Sequence, residues 1–169
     1  MNKKSGLKIK LVKAKEMFPL IEKLLHKGIR VRITVTGTSM YPFLREGMDS
    51  VLLANTDFDK LRAGDIVLIQ RDSGEYILHR IVHKWSHHID IMGDAQQQEK
   101  ERIYRHQVIA KALRIYRKNR RISCEAYYWR FLSLVWIRMI PYRHRIFRLY
   151  RSIRELATDC LRRVASWKV

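Results

Sequence analysis

Residues 29–36 read Ile29-Arg-Val-Arg-Ile-Thr-Val-Thr36, an unbroken alternation of branched apolar side chains with cations and hydroxyls. Successive side chains of an extended chain point to opposite faces, so a period of two predicts a strand with one buried face. The same reading extends outward through the next eighty residues. Val51-Leu-Leu-Ala54 is a short strand, 57–64 a loop, and Asp65-Ile-Val-Leu-Ile69 a strand. Arg71-Asp-Ser-Gly74 is a tight turn and Tyr76-Ile-Leu-His-Arg-Ile-Val82 the returning strand. His88-Ile-Asp-Ile91 and Val108-Ile-Ala-Lys-Ala-Leu-Arg-Ile115 add two more. Many short strands joined by turns predict a mainly β domain, a folded-over antiparallel sheet or partial barrel.

The flanks follow another period. From Leu11 to Lys27, Met17, Leu20, Ile21, Leu24 and Leu25 recur at helical spacing; Gly28 is a stop, and Pro19 predicts a start or break nearby. After Arg121 the pattern is helical and aromatic up to Pro141, and a second Arg-rich helical stretch runs from Ile146 to Leu161. This divides the chain into an N-terminal helical segment (1–28), a β domain (29–115) and an Arg- and aromatic-rich helical tail (116–169).

The 169 residues suffice for one domain with an appendage and a real core. With 47% hydrophobic and 30% charged residues, neither a disordered chain nor a membrane bundle is expected. The outlier is a formal net charge of +19, of which +12 falls on residues 113–169. Such an excess points to an anionic partner, a membrane surface or nucleic acid. The most apolar run, Phe131–Ile137, is bounded by Arg130 and Arg138 and is too short to span a bilayer. The N-terminal lysines interrupt any secretory signal core. Cys124 and Cys160 form no disulfide framework and are expected as reduced thiols. His79, His83, His87, His88 and His106 lack metal-ligand spacing, so neither a metal nor a cofactor is expected.

Three segments at strand ends carry chemistry: Thr36-Gly-Thr-Ser-Met-Tyr-Pro42, Leu78-His-Arg-Ile-Val82 and Met92-Gly-Asp-Ala95. Ser39 follows two small residues, where a peptide carbonyl can approach and backbone N–H groups can bind an oxyanion. An ordinary polar turn would look the same. His79 shares a strand face with Ile77 and Ile81; it suits either a general base or a packed core histidine. Asp94 could orient that imidazole or close its own turn.

Together and in order, these segments resemble the S24/S26 serine peptidases, which include type I signal peptidases and LexA-like self-cleaving repressors. The resemblance covers about residues 30–115 and leaves out the tail. Gly37-Thr-Ser-Met-Tyr-Pro42 is similar to the nucleophile box, Leu44–Val51 to the segment after it, and Gly64-Asp-Ile-Val67 to a family strand. Leu78-His-Arg-Ile-Val82 and Gly93-Asp94 match the last two boxes. His79 stands where most bacterial signal peptidases have lysine, as in the Ser/His variant of the endoplasmic reticulum, archaea and some Gram-positive bacteria. Two departures are plain. Met48 separates Gly47 from Asp49 where the family has Gly-Asp, and the transmembrane anchor of signal peptidases is not found.

The resemblance implies a serine endopeptidase that cleaves leader or signal peptides. Ser39 would be the nucleophile, His79 the general base and Asp94 its support, with Asp49 the other carboxylate that could complete the site. Gly37, Thr38 and Met40 would bind the oxyanion and substrate, and Arg80 would pair structurally. Substrate would bind as an added strand beside residues 30–35, with small residues next to the cut. Interleaved Arg, Trp and Tyr make residues 116–169 suited to an anionic membrane surface, less so to nucleic acid; alternatively their apolar stripe packs on the β domain. The expected localisation is peripheral at a membrane, or cytoplasmic. The contrasting reading is a catalytically inactive basic interaction module on the same scaffold. A self-cleaving regulator is disfavoured, because residues 1–28 hold no DNA-reading helix pair.

Overall fold

The computed structural model describes residues 14–96, 100–143, 145 and 148. Among them eight strands form one open antiparallel sheet: β1 (Val31–Thr34), β2 (Asp49–Ala54), β3 (Ile66–Gln70), β4 (Tyr76–Lys84), β5 (His88–Met92), β6 (Glu101–Tyr104), β7 (Val108–Arg117) and β8 (Arg120–Ser123). Their order is β1-β2-β7-β3-β4-β5-β6, with β8 also on β7. Helix α1 (Ala14–His26) precedes the sheet and α2 (Tyr127–Arg138) follows it. The mainly β class with a helix on either side is as the sequence predicts.

The ten-residue β7 is the shared strand. It pairs with β2 from Arg117 to Lys111, with β3 from Lys111 to Val108, and with β8 from Arg114 to Arg117. Register shifts at Leu52/Leu53, Leu68/Ile69 and Ile81/His83 add local twist, which helps the sheet to curve.

The sheet separates two apolar clusters. In the larger, Ile21 and Leu25 of α1 meet Val51 and Leu53 of β2, Ile115 of β7, and Trp129 of α2. The smaller gathers Phe58, Val67, Ile69, Ile81, Ile89 and Ile103. β3 feeds both, Ile66 and Leu68 into one and Val67 and Ile69 into the other, so it reads as a continuous apolar run rather than an alternation.

Two strands escape the period-two reading because little of either is buried. In β6 only Ile103 is buried, and β8 has no buried residue. β8 owes its place to the Lys118-Asn119 turn, where Lys118 takes φ +50°, as tight hairpins require. Pro19 neither starts nor breaks α1: it lies inside the helix, whose buried residues Ile21 and Leu25 anchor it on the sheet. The stretch from Ile146 to Leu161, apart from Arg148, lies outside the described residues.

Candidate active site

β1 leaves the sheet at Thr34 and enters a loop that carries Ser39, half-buried, between exposed Thr38 and buried Met40. Met40 and Leu44 plug the loop into the larger core cluster. Asp49, 1% exposed, ties down its far end by accepting hydrogen bonds from Arg45 N–H and the Arg117 guanidinium. Arg117 also donates to the Phe43 carbonyl at 2.6 Å. Asp49 is thus committed to shaping the loop.

Ser39 lies on a cleft of about 640 Å³. Met17, Phe18 and Ile21 of α1, residues 31–35 along β1, and Tyr76, Ile77 and Leu78 of β4 wall it. Phe18 stacks on Tyr76 with ring centroids 4.4 Å apart, fixing α1 at the rim. β1 ends the strand order, so its free edge is available to an added strand.

The predicted oxyanion donors divide. Gly37 N–H donates to Glu46 Oε1 at 2.8 Å. The N–H groups of Thr38, Ser39 and Met40 donate to none of the described residues, whereas the three carbonyls each accept a bond, from Tyr41, Ala95 and Leu44 N–H respectively. Met40 is only 2% exposed, so its side chain contributes mainly packing.

His79 follows the Ile77–Leu78 wall of the cleft. It is 4% exposed, its register partner is Val67, and its Nδ1 is a buried nitrogen without a hydrogen-bond partner. Burial lowers its pKa below the ordinary imidazole value, and the Arg71 cation lowers it further, while Glu101, Asp94 and Glu75 pull it part of the way back. The imidazole is therefore neutral at neutral pH, as a general base must be. The ion pairs behind this field, Arg71 with Glu101 and with Glu75, both at 2.6 Å, went unnoticed in the sequence because nothing in spacing joins residue 71 to residue 101. The Ser39 hydroxyl and His79 share no hydrogen bond in this structure; catalytic bonds of this kind often tighten only in the substrate complex.

Asp94 has another partner. Both its oxygens accept from Arg80, Oδ1 from Nε at 2.8 Å and Oδ2 from Nη2 at 2.7 Å. Arg80 and Asp94 are at most 1% exposed. Alternation along β4 sends Arg80 to the face opposite His79, so Asp94 supports Arg80 by contact and His79 only through its charge. Arg80 also donates to Gly64 O at 2.9 Å and Ser133 Oγ at 2.7 Å, and lies 4.5 Å over the Phe43 ring. A buried ion pair is tolerated when its remaining donors are satisfied in this way.

The turn bearing Asp94 also reaches Ser39. Ala95 N–H donates to Ser39 O at 2.8 Å, and a Cβ on Gly93 would stand 2.7 Å from that oxygen. Glycine is required at 93 by this close approach. Ser39, the 93–96 turn and Arg80 beside His79 thus form one connected framework. No group of His, Cys, Asp or Glu among the described residues could hold a metal ion. Cys124 is buried and burial pushes its thiol up to about 12, far from a thiolate nucleophile.

No curated protein matches the chain significantly. The family model "Peptidase S24-like" matches residues 5–113, more than half of the chain. With Ser39 and His79 flanking the apolar cleft that its strands enclose, the chain belongs to the S24-like peptidase family.

Proposed function

We propose that the chain is a serine endopeptidase of the signal-peptidase type, acting on leader or signal peptides. The observation that carries this reading is the arrangement around Ser39. The serine lies at the end of a free sheet edge, with donor N–H groups beside it, on a cleft whose wall runs directly into a neutral, buried histidine. A substrate strand pairs with β1 and carries its carbonyl to Ser39. His79 removes the hydroxyl proton, the oxygen bonds to the carbonyl carbon, and the Ser39 and Thr38 N–H groups hold the oxyanion. The C–N bond then breaks as the amine takes the proton from His79. Water, deprotonated by His79, releases the acyl group and regenerates Ser39.

The substrate side of this reading draws on α2. Tyr127, Tyr128, Phe131, Leu132 and Leu134 are exposed beside the exposed cations Arg138, Arg145 and Arg148. Apolar side chains fringed by arginine suit an anionic membrane surface, where such substrates are found. Among the described residues no helix is long and apolar enough to cross a membrane.

The test is capture. Ser39→Ala protein incubated with a library of extended peptides, half with small residues at the candidate cut and half with bulky ones, is expected to retain the small-residue half. Equal retention of both halves would overturn the substrate assignment. The unformed Ser39–His79 bond favours a second reading, a non-hydrolysing binding module; cleavage of the retained peptides by the wild-type chain excludes it.

A further inference from the structure

The 93–96 turn lies beyond the end of β5, so the ladder does not hold it. Its own bonds are local: Gln96 N–H to Gly93 O at 3.1 Å and Gly93 N–H to Gln96 Oε1 at 2.8 Å. What fixes it against the rest of the molecule, besides Ser39 and Arg80, is a side chain from beyond α2. Arg143 is 1% exposed and forms no ion pair with any described residue. Its Nη1 donates to Gly93 O and Gln96 O, each at 3.3 Å, and lies 3.6 Å from Met92 Sδ. Its Nη2 donates to Trp136 O at 3.1 Å, a carbonyl in the last turn of α2 that has no partner within the helix. The guanidinium sits 4.8 Å over the Trp136 ring.

Burying a guanidinium without a carboxylate is costly, and the offset here is a set of carbonyls drawn from two elements. Only a rigid planar fork can reach both at once; an ammonium is a point charge and cannot. Ser133 Oγ makes a second bridge from the same helix, to Arg80. Both bridges come from residues beyond the 5–113 family match.

We propose that Arg143 is a positioning residue of the active site. By joining the end of α2 to the carbonyls of Gly93 and Gln96, it sets the turn whose Ala95 N–H holds the Ser39 carbonyl and whose Asp94 holds Arg80. The kinetic half of this proposal rests on the peptidase reading above; the geometric half does not.

The experiment measures amide exchange residue by residue in the full-length chain, wild type, Arg143→Met and Arg143→Lys, alongside steady-state hydrolysis of a peptide the wild type cleaves. In both variants the amides of Ala95 and Gln96 are expected to exchange at least about tenfold faster, with Val51 and Ile115 in the β2–β7 ladder unchanged. In Arg143→Met, kcat is expected to fall about 100-fold with KM within about threefold, the signature of misplacement rather than lost binding. Arg143→Lys keeps the charge, guards against a variant that fails to fold, and is expected to show the same pattern more weakly. Unchanged exchange at Ala95 overturns the proposal. So does faster exchange spread evenly over the ladder, or faster turn exchange with kcat intact. A wild type that cleaves no peptide defeats the peptidase reading alone, and the Ala95 exchange still decides the positioning claim.

Discussion

Buried charge is handled differently in the sheet and in the helical region after it. In the sheet each buried cation meets a carboxylate: Arg80 meets Asp94, and Lys111 meets Asp65. Beyond residue 126 the buried cation, Arg143, meets only carbonyls and a thioether, while aromatic and aliphatic side chains of α2 stand in solvent. The sheet is satisfied within itself. The helical region is satisfied inward, through Trp129, Ser133 and Arg143, and unsatisfied outward. Packing therefore runs straight through the point where the family match ends, because Cys124 and Trp129 belong to the same apolar cluster as β1 and β2.

That contrast can be broken at its strongest point first. Asp94→Ala leaves the Arg80 guanidinium buried without its carboxylate and is expected to cost about 3–5 kcal/mol. The measurement is the denaturant midpoint, and a change below about 1 kcal/mol would mean that the pair is not closed in solution. Next comes the helix itself. Trp129→Ala is expected to cost about 3 kcal/mol, since the indole is 6% exposed and packs edge-on to Phe43 at 5.3 Å. Phe131→Ser, two residues on and 67% exposed, is expected to stay within about 0.5 kcal/mol. Similar losses from the two substitutions would erase the inward–outward distinction.

The smallest effect lies in pH. The folded His79 pKa is lowered, so as pH falls below the unfolded value of about 6.5 the unfolded chain binds a proton that the native chain does not. Stability contributed by the neutral imidazole is thus present above that pH and lost as pH drops below it. Thermal midpoints at about pH 7.5 and 5.5 are expected to fall further for wild type than for His79→Leu. Equal falls would mean that the imidazole is not held neutral by the fold.

Much of this architecture was legible because burial was one-sided. Alternation in Ile29–Thr36 and Tyr76–Val82 announced strands, and the Gly-Thr-Ser, His-Arg and Gly-Asp segments announced the site. β6 and β8 were not legible, since strands that bury almost nothing carry no period. The partner of Asp94 was half legible: Arg80 was expected to pair, but the choice between Arg80 and His79 depends on which face of β4 looks toward the 93–96 turn. Arg143 was not legible at all. Among thirteen arginines after residue 112, nothing local marks the one that turns inward; only the end of α2 and the turn, distant in sequence, select it.

The central claim, that Ser39 and His79 perform peptide hydrolysis, is tested most directly by assaying wild type, Ser39→Ala and His79→Ala on one peptide with small residues at the cut. The account predicts cleavage by wild type and a loss of about 1,000-fold or more in each variant, with thermal midpoints showing all three folded. Cleavage by either variant at the wild-type rate would contradict it.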